Sequence, residues 1–161
     1  VIETFQKSVS EVKDGMDISL AAITALENGE HQMEWAGANN PIWYIQGNVD
    51  SNPADGEKNR ELKEIKANKQ PIGTYAEQSP FTTHKFILKK GDVIYMYTDG
   101  YADQFGGSKG KKFKYKQLEQ VILQNSHLSM DEQHGILKAS FDDWKGKYEQ
   151  IDDVCVIGVR L

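Results

Sequence analysis

Cysteine is almost absent from this 161-residue sequence: Cys155 stands alone. No internal disulfide is possible. Cys155 lies within the apolar run Val154-Cys155-Val156-Ile157 and reads as a small buried hydrophobe in a reducing, cytoplasmic setting. No apolar run approaches the ~20 residues of a membrane helix, and no secretory segment is evident, so direct membrane contact is not expected. The net charge is -5, with acids and bases mixed along the chain. That balance argues against a dedicated nucleic-acid surface, the short basic run Lys109 to Lys116 notwithstanding. The Gly106-Gly107-Ser108-Lys109-Gly110 stretch lacks the spacing of a phosphate-binding loop. His31, His84 and His134 stand apart from any ligand set, so zinc chemistry has no motif here.

Several strand signals are present. Val93 to Tyr97 is a continuous β-branched and aromatic run, which predicts a buried strand. Asp99-Gly100 breaks it, leaving the Asp99 carboxylate at the strand's C-terminal rim. Thr98-Asp99-Gly100 reads equally well as a plain turn. Asp152-Asp153 lies at the N-terminal entry of a second strand-like run that closes the chain from Ile151 to Leu161; a solvated strand end is the simpler reading there. Mg²⁺ and Mn²⁺ prefer oxygen ligands. If the Asp99 and Asp152 strands are antiparallel neighbours, one ion can bridge them.

The remaining pattern is mostly β, then α. Val1, Phe5, Val9 and Val12 give one apolar face of a helix, followed by a Lys13-Asp14-Gly15 turn. Asp17 to Leu26 and His31 to Ala36 form strands about an Asn28-Gly29 hairpin turn. Gly37-Ala38-Asn39-Asn40-Pro41 separates the second of these from the following strand, as a structural turn or as a loop lining a site. Ile42 to Ile45 is the next strand. The polar stretch 47–60 reads as an exposed excursion. Glu61 to Ala67 is a short strand, and 68–77 is a loop around Pro71 and Gly73. Phe81 to Leu88 is a strand joined to Val93–Tyr97 by a Lys89–Asp92 hairpin, and 106–110 is a flexible loop. Tyr115 to Gln124 and Met130 to Trp144 are helices. Ser129 is the expected N-cap of the second, with Gln133 one place late for a capping box.

Thr98-Asp99-Gly100 with Asp103, and Asp152-Asp153-Val154-Cys155-Val156, resemble the last two metal-binding motifs of the metal-dependent protein phosphatases. Gly37-Ala38-Asn39-Asn40-Pro41 and Gln70-Pro71-Ile72-Gly73 resemble segments of the bacterial sporulation stage II E-like branch of that group. The resemblance runs from about Asp14 to Leu161. It implies an α+β, PP2C-like fold, an antiparallel β-sandwich flanked by helices, over residues 1–161 as one domain. It also implies hydrolysis of phosphoserine or phosphothreonine, assisted by two Mn²⁺ or Mg²⁺ ions. Asp99 and Asp152 are then the catalytic metal ligands, and Asp153 an adjoining metal or orienting residue. Asp103 supports the loop, binds metal-bound water or caps a turn. The substrate is a bacterial signalling phosphoprotein, such as an anti-anti-sigma-type regulator.

One departure from the family stands out. An early Asp-Gly metal motif, expected upstream of Asp14, is missing; Asp14-Gly15 precedes a strand and does not replace it. The chain also starts at Val1 without methionine, as excision, processing or choice of expressed segment would each produce. The expectation is an N-terminally incomplete domain with weak metal binding, whose uncovered sheet edge favours a homodimer. The alternative is a non-catalytic regulatory or protein-binding domain that keeps the phosphatase fold.

Overall fold

The computed structural model describes residues 15–47, 60–73 and 79–161. The expected helix over 1–12, most of the turn at 13–15, the excursion at 48–59 and the end of the 68–77 loop lie outside the described residues. The chain divides into two compact units, Val1–Ile42 with Glu64–Lys89, and Trp43–Lys63 with Lys90–Leu161.

The first unit carries a three-stranded antiparallel sheet in the order β1-β2-β5, from β1 (Ile18–Ala25), β2 (His31–Ala38) and β5 (His84–Leu88). The Asn28-Gly29 turn sets the register, pairing Ile18 with Ala38 and Ala25 with His31. Met33 and Trp35 alternate inward and are buried, as period-2 patterning requires. β2 runs two residues beyond the predicted end, through Gly37 and Ala38. Only glycine fits at 37: a methyl group there would lie 2.6 Å from the Asn40 carbonyl oxygen and from the Trp35 ring. The strand then ends at Asn39, in left-handed conformation with φ of 58°. Its side chain donates to Asp17 at 2.7 Å. The 37–41 segment is therefore half strand and half turn. His84 stacks near Trp35, with ring centroids 5.5 Å apart.

The second unit is built on a four-stranded sheet in the order β4-β3-β6-β9, from β3 (Ile42–Ile45), β4 (Leu62–Ile65), β6 (Val93–Tyr97) and β9 (Val156–Arg160). Three helices follow β6: α1 (Gly100–Asp103), α2 (Tyr115–Asn125) and α3 (Met130–Lys145). Trp43, Ile45, Val93, Tyr95 and Tyr97 from the sheet pack with Tyr101, Phe113, Leu118, Ile122 and Phe141 in one core. Leu118 and Ile122 are fully buried at helical spacing. Each such burial contributes about 1.5–3 kcal/mol. Arg60 and Arg160 donate to the Ser126 carbonyl at 2.6 and 2.7 Å, placing two cations at the α2 C-terminus where its dipole favours them. The molecule is thus α+β, with antiparallel sheets and flanking helices.

Four local expectations are corrected. The Lys89–Asp92 turn does not close a hairpin: β5 pairs with β2, while β6 pairs with β9 in another sheet. Gly91 and Asp92 are fastened to the second sheet by paired backbone bonds with Leu161. The buried Asp92 carboxylate accepts from Tyr44 Oη at 2.9 Å and Gly47 N at 2.7 Å. The 106–110 stretch is an ordered turn between β7 (Phe105–Gly106) and β8 (Lys111–Lys112), anchored by a bond from Gly107 N to the Trp144 carbonyl. The α3 capping box is complete, since Glu132 rather than Gln133 is its third helical residue: Ser129 accepts from Glu132 N, and Glu132 accepts from Ser129 N. The closing strand starts at Val156, five residues after Ile151.

Candidate functional site

β6 and β9 pair antiparallel, with Val93 opposite Arg160 and Tyr97 opposite Val156. This register brings the C-terminal end of one strand beside the N-terminal end of the other. Both acid-bearing segments continue outward from that shared end. The Thr98 amide donates to the Cys155 carbonyl at 3.0 Å, extending the ladder by one step. The Thr98 hydroxyl donates to the Asp153 carbonyl at 2.8 Å and accepts from Cys155 N at 3.0 Å. The chain then turns sharply into α1. Gly100 passes so close to the other segment that a methyl group there would lie 2.5 Å from the Asp153 carbonyl oxygen. Only glycine permits that approach.

Asp99 is exposed and occupies the N-cap position of α1, without a cap bond from its side chain. Asp152 and Asp153 are exposed on the facing segment. The Asp152 carboxylate accepts from Asp153 N at 2.7 Å, which fixes its local orientation. The structure therefore joins the segment of Asp99 to that of Asp152 and Asp153 at backbone level. These acids precede β9 instead of opening it. Asp103 points elsewhere: its carboxylate pairs with Lys112 at 2.8 Å. Cys155 corrects the expectation of a buried thiol, since it is exposed. Val154 and Val156 turn inward while Cys155 and Ile157 turn out, so only one face of the run is buried.

Mn²⁺ or Mg²⁺ would find hard oxygen donors here, carried on two hydrogen-bonded segments that can hold them in place. Among the described residues, however, no three His, Cys, Asp or Glu side chains are grouped as a metal site. The residues fit part of a ligand set. Thr98 and Gly100, which tie the segments together, were read from sequence as part of the Thr98-Asp99-Gly100 motif, with no role of their own. The signal was present in the order strand, Thr, Asp, Gly, where a hydroxyl and a missing side chain stand either side of the acid.

Among the described residues no helix is long and apolar enough to cross a membrane, which says nothing of membrane strands. Comparison with curated proteins finds no match. Among solved structures, the SiaA-PP2C domain of Pseudomonas aeruginosa superposes with a TM-score of 0.78 at 20% identity, over 99% of this chain and 57% of that one. The phosphatase domain of the cell fate determinant SpoIIE from Bacillus subtilis matches with a TM-score of 0.53 at 13% identity, over 89% of this chain and 57% of that one. A Bacillus subtilis SpoIIE structure that includes a fragment of the regulatory domain gives 0.55 at 18%, over 89% and 36%. The chain thus spans little more than half the length of the first two. These likenesses establish the fold. The family model for stage II sporulation protein E (SpoIIE) matches residues 1–161, and the chain belongs to that family.

Proposed function

We propose that this chain is part of a metal-dependent serine/threonine protein phosphatase domain acting on a bacterial signalling phosphoprotein, of the anti-anti-sigma type. The observation that supports this most is the bonding of the Asp99-bearing segment to the Asp152-Asp153 segment through Thr98. Asp99 and Asp152 are the metal ligands in this reading, and Asp153 fixes Asp152 through its backbone N–H. Mn²⁺ or Mg²⁺, when bound, supplies a polarised water and offsets charge on the phosphate and leaving oxygen. The protein's part in this reading is to carry the carboxylates on two segments that are hydrogen-bonded to each other beyond the paired ends of β6 and β9. In this reading the two acids are only part of the ligand set that two ions require. The reading places the domain in the cytoplasm, with a homodimer as its assembly.

The second reading is a non-catalytic regulatory or binding domain. It is favoured by the absence of three grouped ligating side chains among the described residues. The discriminating experiment is a phosphopeptide hydrolysis assay with Mn²⁺ on the longest natural chain containing residues 1–161, beside Asp99→Asn and Asp152→Asn. Loss of activity by roughly 100-fold or more in both variants is expected, at or beyond the upper range for supporting residues. Activity unchanged in both defeats the site assignment. No Mn²⁺-dependent hydrolysis in the parent chain selects the regulatory reading.

A further inference from the structure

We infer that Thr98 is a positioning residue, whose hydroxyl sets the relationship between the Asp99 and Asp152 carboxylates; this rests on the phosphatase reading of those two acids. In an antiparallel pair, residues in a hydrogen-bonded pair exchange two N–H···O bonds. Thr98 N donates to Cys155 O as a continued ladder would have it. The reciprocal donor, Cys155 N, is taken by the Thr98 hydroxyl at 3.0 Å. The hydroxyl thus serves where a strand carbonyl would, and the backbone can turn at Asp99 while the bond across the strands is kept.

The same oxygen donates its proton to the Asp153 carbonyl at 2.8 Å. One half-buried side chain therefore bonds both peptide groups that flank Val154 and restrains the path of the chain carrying Asp152 and Asp153. Asp99 is the next residue after Thr98, so its backbone is held by the same bonds. A hydroxyl is needed because the group must donate and accept at once. Valine has the same shape and does neither, while serine does both. Gly100 lies against the same Asp153 carbonyl, whose oxygen a methyl group at 100 would meet at 2.5 Å.

The test is a Mn²⁺ titration of the longest natural chain containing residues 1–161, followed through paramagnetic broadening of its backbone amide resonances, a readout independent of catalysis that remains usable for weak binding. Wild type, Thr98→Val, Thr98→Ser and Asp99→Asn are compared, with folding checked by amide dispersion in metal-free buffer. Support requires that Asp99→Asn abolishes broadening at residues 99 and 152–153. Thr98→Val must weaken the affinity about 10- to 100-fold, the range for groups that orient metal ligands. Thr98→Ser must stay within about threefold of wild type, as its hydroxyl can remake both bonds. If Thr98→Val binds like wild type while Asp99→Asn does not, the inference fails and the carboxylate assignment stands. Equal weakening by valine and serine likewise overturns the role of the hydroxyl. If wild type shows no broadening there, or Asp99→Asn matches wild type, the phosphatase site itself fails and takes the inference with it. Should Thr98→Val not fold, Thr98→Ala and the serine variant carry the same comparison, with the same outcomes for and against.

Discussion

Gly100→Ala perturbs the junction of the two acid-bearing segments by a single methyl group. That methyl would lie 2.5 Å from the Asp153 carbonyl oxygen, 3.0 Å from its carbonyl carbon and 3.3 Å from Val154 Cγ2. The first contact is roughly 1 Å inside normal van der Waals separation. The obstructing atoms are backbone, so no rotamer change relieves it. Either the Asp153 carbonyl withdraws, breaking its bond from Thr98, or α1 shifts, disturbing Tyr101 and Ala102, which are buried. Overpacking costs about 1–3 kcal/mol. A lost hydrogen bond adds about 0.5–1.5 kcal/mol. The combined loss of about 1.5–4.5 kcal/mol corresponds to a fall in Tm of about 4–13 °C for a chain of this size. Differential scanning calorimetry reads it directly. Gly135→Ala is the control, because nothing lies within 4 Å of a methyl group there. Gly135 sits inside α3, where alanine stabilises by about 0.5–1 kcal/mol. A Gly100→Ala protein melting within about 1 °C of wild type would refute the close approach of the two segments.

Other outcomes follow from the same packing. Asp92→Ala removes the acceptor of the Tyr44 hydroxyl and Gly47 N, two bonds worth about 0.5–1.5 kcal/mol each, measurable by urea denaturation. Burial pushes the Tyr95 hydroxyl up from 10.0 to about 12, and raises Tyr44 and Tyr101 as well. A raised folded-state value means this stabilisation is complete below pH 10 and is lost as pH rises through about 12, so urea midpoints should fall across that window, with a shallower fall in Tyr95→Phe. Ser129→Ala should cost about 1 kcal/mol through the lost α3 cap. Bonds from Ser129 hold the Glu132 carboxyl below its ordinary value, so its stabilisation is present above pH 4.5 and is lost on acidification, and Ser129→Ala should flatten that acid limb.

Much of the fold was legible because the relevant signals were local. Asn28-Gly29 between alternating runs fixed the β1–β2 hairpin, and the spacing of Leu118 and Ile122 marked α2. The Lys89–Asp92 turn was misread because a tight turn between two strands looks alike whether they pair or part. What decides it is Asp92, whose carboxylate binds Tyr44 and Gly47, far away in sequence. Cys155 was misplaced because an unbroken apolar run does not reveal that only one face is covered. At the candidate site, Asp99, Asp152 and Asp153 were given roles from sequence, whereas Thr98 and Gly100 were quoted only as the acid's neighbours in the motif. Their roles depend on the neighbouring strand segment, some 55 residues on, which supplies the Asp153 carbonyl.

The central proposal is that Asp99 and Asp152 address the same divalent ion. Its most direct measurement is the carboxylate ¹³C signals of the two residues during titration with Mg²⁺, a diamagnetic ion that leaves both visible. The account predicts that the two signals shift together with one half-saturation concentration, and that Asp152→Asn suppresses the shift at Asp99. Independent shifts with different half-saturation points, or a shift at one carboxylate that ignores loss of the other, would contradict it.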